Sequence, residues 1–128
     1  MISGNFRGFS VSVEPPGIAV VTFDQPDRMN GMTMSMKSDL IEILAQAQMD
    51  ESLRVVVFTG SGRAFCAGDD IASPMKEQDA PDGLVPDIPM GFSTARDHAL
   101  GTYNGLRTVS QALNKAVLDL DKMTIAAI

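Results

Sequence analysis

Apolar and polar positions along the chain change period several times, and those changes divide it into elements. Residues 9–14, FSVSVE, alternate apolar and small polar side chains, the period of a half-buried strand. Pro15-Pro16-Gly17 is a turn, and residues 18–23, IAVVTF, form a second strand that pairs with the first as a hairpin. The first of the two is expected at the sheet edge. Asp24-Gln25-Pro26-Asp27 closes the second strand, and Arg28-Met29-Asn30-Gly31 continues as loop. Thr33 or Ser35 then caps a helix reaching Met49, with Met36, Leu40, Ile43 or Leu44, and Ala47 on one face at 3.6-residue spacing.

Asp50-Glu51-Ser52 breaks that helix, and residues 54–59, RVVVFT, follow as a strand. Its continuous apolar run predicts a strand covered on both faces of an α/β sheet. Strand, helix, strand at these lengths is a βαβ unit with parallel strands and a right-handed crossover. Gly60, Gly62 and Gly68 punctuate the next loop, and a short helix is expected from Ile71 to Gln78. Residues 79–89, DAPDGLVPDIP, read as an exposed, mobile segment. A helical pattern returns over 93–122, where Ala99, Tyr103, Leu106, Val109, Leu113, Val117 and Leu120 recur every three or four residues. Gly101 and Gly105 weaken its first turns. Residues 124–128, TIAAI, begin an apolar strand of the buried, mid-sheet type.

Ending on such a strand, the 128 residues are expected to be the front part of a longer polypeptide. The other possibility is that this strand simply ends the domain. Either way the length is that of one domain or part of one. Composition adds exclusions. Net charge is −6, the basic residues are scattered and aromatics are 5%, which argues against a nucleic-acid partner. No apolar run approaches the roughly 18 residues of a membrane helix. The opening residues lack a charged segment followed by an apolar run, and the single cysteine, Cys66, suits a reducing compartment. The cytoplasm is therefore expected.

Candidate chemistry is mostly excluded by missing parts. His98 stands alone, and one cysteine cannot build a thiolate metal cluster, so no metal site is expected. There is no G-x-S-x-G elbow and no phosphate-cradling G-x-x-x-x-G-K-[ST], and Gly60-Ser61-Gly62-Arg63-Ala64-Phe65 breaks the dinucleotide pattern at its last glycine. What remains is residues 54–71, a strand, a glycine loop and a helix start. Bare N–H groups there can approach a ligand closely and favour negative charge. An ordinary βα turn accounts equally well for the spacing.

The segment TGSGRAFCAGDDI (59–71) closely resembles the signature of the crotonase superfamily, the enoyl-CoA hydratases and isomerases. IAVVTFDQPDRMNGMT (18–33), DESLRVVVFTG and DKMTIAAI resemble other parts of the family pattern, the last with Met123 where proline is usual. Against that pattern residues 79–95 look longer than typical, a mobile insertion. The resemblance implies an α/β fold with a crotonase-like ββα spiral core, incomplete at the C-terminus. It also implies trimers or pairs of trimers, and an acyl-CoA thioester as ligand in fatty acid metabolism, with coenzyme A part of the substrate and no separate cofactor. By position, the backbone N–H of Asp69 is one of two donors to a thioester enolate. The Ala67 backbone lies at the adenine end, with Gly68, Asp70 and Ile71 in the same CoA-binding stretch, and Arg28 and Met29 at the CoA phosphates.

An inward Asp69 carboxylate would oppose an enolate, so the side chain is expected to turn outward. Asp70 is read as a helix N-cap, Cys66 as a small buried residue and Arg63 as a loop anchor. The family's second donor and its acid/base carboxylates fall beyond Ile128; Asp24, Glu42 and Glu77 match none of them. The expected function is the acyl-CoA-binding part of an enoyl-CoA hydratase or isomerase, the 128-residue chain itself being inactive. The alternative is a non-catalytic crotonase-like module that binds CoA or pairs with other subunits.

Overall fold

The computed structural model describes residues 1, 3–70 and 106–128. Ile71, the short helix expected after it, the 79–95 insertion and His98 lie outside the described residues.

Within that span a five-stranded sheet runs in the order β1 (Gly4–Asn5), β2 (Phe9–Glu14), β3 (Ile18–Phe23), β4 (Val55–Gly60), β5 (Met123–Ala127). The hairpin forms as the alternation predicts, with Phe9 opposite Phe23 and Glu14 opposite Ile18. The short β1 pairs outside β2, so β2 is not the edge strand the sequence suggested. Gly4–Asn5 is too short to announce itself by period. β3 pairs with β4 in parallel, Ile18 with Val55 and Phe23 with Gly60, and β4 pairs with β5 in parallel.

Helix α1 (Met34–Met49) makes the crossover between β3 and β4. Thr33 caps it, its hydroxyl accepting the Met36 N–H at 3.1 Å. Met36, Leu40, Ile43, Leu44 and Ala47 are buried against the sheet, where they meet Phe9, Val11, Ala19, Val21, Phe23 and Val56. Burial of several large apolar side chains, at about 1.5–3 kcal/mol each, holds the helix to the sheet. The start of α1 is buried more widely than its apolar stripe predicts, because Lys37 and Asp39 are buried as well. Asp39 is fully buried and takes two hydrogen bonds from the Arg7 guanidinium, each 2.9 Å, which ties the β1–β2 connection to the helix.

A π turn (Leu106–Ser110) leads into α2 (Gln111–Leu118), where Val109 and Leu113 are buried. This helix ends at Leu118 rather than near Lys122, and the Asp119 N–H bonds back to the Lys115 carbonyl. One further expectation fails. In β4 only Val56 is fully buried and its neighbours are half-buried, so the apolar run does not mean equal cover on both faces. β5 lies at the edge of the sheet with every residue exposed, although its sequence is that of a mid-sheet strand. No described element pairs with its outer edge.

Candidate functional site

Because β3 and β4 are parallel neighbours, the loops that leave them emerge side by side at one end of the sheet, where open α/β sheets hold ligands. The first loop covers residues 24–33 and the second 61–70. Their contact begins at the strand ends: the Ser61 N–H donates to the Phe23 carbonyl at 2.8 Å, and the Ser61 hydroxyl to the Asp24 carboxylate at 2.8 Å. Phe65 packs edge-on against Phe23 with ring centroids 5.5 Å apart, anchoring the middle of the second loop to the core.

Asn30 joins the two loops. It is fully buried, and its backbone takes a left-handed conformation (φ 56°), as does Met29 (φ 53°). Its side-chain oxygen accepts the Gln25 N–H at 2.8 Å, while its amide nitrogen donates to the Ser61 and Ala64 carbonyls at 2.9 and 2.7 Å. Nothing in local periodicity marks this residue. Its signals in the sequence are its place in the family-like segment 18–33 and the tolerance of asparagine for the left-handed region. Gly60 completes the junction. A Cβ there would lie 2.4 Å from the Ala64 carbonyl oxygen and 2.6 Å from that of Phe65.

Further along, the loops pair as short parallel strands do. Ala67 N–H donates to the Met29 carbonyl at 2.9 Å, Met32 N–H to the Gly68 carbonyl at 2.8 Å, and Asp70 N–H to the Met32 carbonyl at 2.9 Å. Met32 thus bridges Asp69 by bonding the residues on either side of it. In a parallel pair the bridged residue's own N–H and C=O face the other way. Among the described residues the Asp69 N–H and the Ala67 carbonyl have no hydrogen-bond partner. Ala67, Gly68 and Asp69 are all exposed. Gly68 has φ +101° with open space where a Cβ would stand, a conformation other residues rarely take.

The side chains around this backbone are paired. The Asp69 carboxylate meets the Lys37 ammonium of α1. Lys37 also donates to the Ser110 hydroxyl at 2.9 Å. Lys37 is 6% exposed and the Asp69 side chain 61%, so the cation is the buried member. Asp70 is ion-paired at 2.6 Å to the Arg28 guanidinium, which fixes the first loop to the second. The helix that Asp70 was expected to cap lies outside the described residues. Arg63 is exposed, with its Nε 3.3 Å from the Met29 sulfur. Cys66 is half-buried rather than buried.

Six of the seven residues expected to bind CoA (Arg28, Met29, Ala67, Gly68, Asp69 and Asp70) lie in these paired loops, with Arg28 tied to Asp70. Ile71 is outside the described residues. Lys37 and Asn30 are what the sequence reading missed. Lys37 looks like any solvated helix lysine until the tertiary contact to Asp69 is known.

The architecture is an α/β βαβ unit whose two loops pair at one end of the sheet and, among the described residues, leave the Asp69 N–H and the Ala67 carbonyl without partners. The chain belongs to the enoyl-CoA hydratase/isomerase family, whose sequence model matches residues 14–87. It is 44% identical over 63 residues to the Arabidopsis thaliana protein named "Probable enoyl-CoA hydratase 1, peroxisomal", covering 49% of this chain and 24% of that one. To the 1,2-epoxyphenylacetyl-CoA isomerase of Escherichia coli it is 34% identical over 82 residues, 64% of this chain and 30% of that one. The crystal structure of an enoyl-CoA hydratase/carnithine racemase from Magnetospirillum magneticum superposes with a TM-score of 0.71 at 28% identity, over 97% of this chain and 39% of that one. The fold is therefore crotonase-like, and the chain spans about two-fifths of that solved structure.

Proposed function

We propose that the chain is the acyl-CoA-binding part of an enoyl-CoA hydratase/isomerase, and that the Asp69 N–H is one of two donors to a thioester enolate. The observation that carries this reading is the bridge from Met32, which spends the N–H of Asp70 and the carbonyl of Gly68 and leaves the N–H of Asp69 without an acceptor among the described residues. A backbone donor held this way needs no protonation state and little reorganisation. Such a group stabilises a developing oxyanion by about 3 kcal/mol. The second donor and the proton-moving carboxylates are assigned to sequence beyond Ile128.

The same reading gives the adenine end to the Ala67 carbonyl, which has no hydrogen-bond partner among the described residues. Gly68, Asp70 and Ile71 follow as the rest of the CoA-binding stretch. Arg28 and Met29 are assigned to the CoA phosphates; Arg28 is part-exposed and already turned toward the second loop by Asp70. Coenzyme A enters as part of the substrate, with no separate cofactor. The assembly is a homotrimer or a pair of trimers in the cytoplasm; sedimentation tests the first assignment and imaging of a tagged chain the second, a peroxisomal signal overturning it.

Calorimetric titration with butyryl-CoA tests the binding assignment, and binding is expected to weaken in Asp69→Pro, which deletes the N–H, more than in Asp69→Ala, which keeps it. Equal weakening in both would remove the N–H from the site. Crotonyl-CoA hydration by the pure 128-residue chain is expected to be absent, and turnover would overturn the placement of the catalytic groups. The competing reading, a non-catalytic module, is separated by the reading frame after Ile128. A glycine-rich continuation supports the enzyme, and a stop codon there sinks it.

A further inference from the structure

Asp69 poses an electrostatic problem. Its N–H is offered to an anion, yet the same residue carries a carboxylate. A negative charge one residue's reach from a developing oxyanion raises the energy of that anion by Coulomb repulsion. The chain carries a remedy. Lys37 projects from the first turns of α1, and its ammonium takes the Asp69 carboxylate and the Ser110 hydroxyl together. Three separate parts of the molecule therefore converge on one buried cation: the start of α1, the loop that carries the donor, and the π turn before α2.

We infer that Lys37 is a positioning residue for the Asp69 donor, holding the carboxylate toward α1 and cancelling its charge so that the N–H can serve an anionic ligand. Asp70 does not compete for this role, because Arg28 neutralises it at 2.6 Å. The inference rests on the assignment of the Asp69 N–H made above. Lys37 touches no reacting atom in it. Its effect passes through Asp69 alone, so it must depend on the Asp69 charge.

That dependence sets the test. Acetoacetyl-CoA at alkaline pH gives up its α-proton to solvent and binds as an enolate, whereas butyryl-CoA is a neutral thioester of similar size. Lys37→Met keeps the volume and removes the charge. It is expected to weaken acetoacetyl-CoA about tenfold more than butyryl-CoA. Against an Asp69→Asn background the same substitution is expected to change that ratio less than about twofold, and Lys37→Arg is expected to keep most of the wild-type ratio. Equal losses for both ligands, or an undiminished effect in the Asp69→Asn background, overturn the charge role.

A second readout needs no ligand. Hydrogen exchange at the Asp70 and Met32 amides, which pair the two loops, is expected to speed up about twofold in Lys37→Met and to return toward wild type in Lys37→Arg. Unchanged protection overturns the positioning role. Failure of the wild-type chain to bind any acyl-CoA would instead remove the function proposed above, and the exchange measurement would still decide on Lys37.

Discussion

The Asn30 amide nitrogen lies 2.7 Å from the Ala64 carbonyl and 2.9 Å from that of Ser61, so one buried side chain fastens the loop after β3 to the loop after β4. With its oxygen on the Gln25 N–H, the amide makes three hydrogen bonds. Removal leaves three part-buried backbone groups without this partner, and each costs about 1 kcal/mol. Asn30→Ala is expected to destabilise the chain by about 3 kcal/mol, read from urea unfolding. Asn30→Asp is expected to be as severe, since a carboxylate cannot donate to the two carbonyls.

Gly60 and Gly68 sit at opposite ends of the same loop and are glycines for different reasons. At Gly60 an added methyl meets two backbone oxygens and the Asn30 amide within 2.7 Å, so the backbone itself must move. At Gly68 the space is open and only the φ of +101° resists substitution. Gly60→Ala is expected to cost about 3 kcal/mol, and Gly68→Ala about 1–2 kcal/mol. A reversed order in thermal unfolding would contradict this account.

The Lys37–Asp69 pair predicts an asymmetry in stability. Truncating the exposed member, Asp69→Ala, leaves a buried ammonium with only the Ser110 hydroxyl. Truncating the buried member, Lys37→Met, leaves a carboxylate that water can reach. Because an unpaired buried charge is the costly state, Asp69→Ala is expected to destabilise by about 1–2 kcal/mol and Lys37→Met to stay within about 0.5 kcal/mol of wild type. Chemical denaturation of the two variants side by side checks the order.

Asp50 supplies a pH dependence remote from the site. The Ser52 hydroxyl, the chain's amino terminus and the Ser52 N–H hold its carboxyl well down, to a pKa of about 2. A folded pKa below the unfolded value stabilises above the unfolded pKa, and that contribution fades as pH falls toward the folded one. The stability difference between wild type and Asp50→Asn is therefore expected to be full above about pH 5 and to shrink between about pH 4 and pH 2. A difference that stays constant over that range would show that the ionised carboxylate plays no part.

Much of the fold was legible along the chain. The alternation at Phe9–Glu14, the apolar runs at Ile18–Phe23 and Val55–Gly60, and the capped stripe of α1 each express a local period, and local periods survive into any fold that buries them. The glycine loop and its neighbours also carried the family pattern, which pointed to Asp69 before any geometry was known. β5 carries the sequence of a mid-sheet strand, and an apolar strand reads the same whether or not its outer edge is paired; among the described residues that edge is open.

The sequence by itself determined the βαβ unit, the glycine-punctuated loop after β4 and the family to which the chain belongs. Tertiary structure alone decided what surrounds that loop. Asn30 and Ser61 are 31 residues apart, Lys37 and Asp69 are 32 apart, and Arg28 and Asp70 are 42 apart. No helix or strand period relates positions that distant. They meet because parallel pairing of β3 and β4 brings two loop mouths to the same end of the sheet and sets the start of α1 beside them.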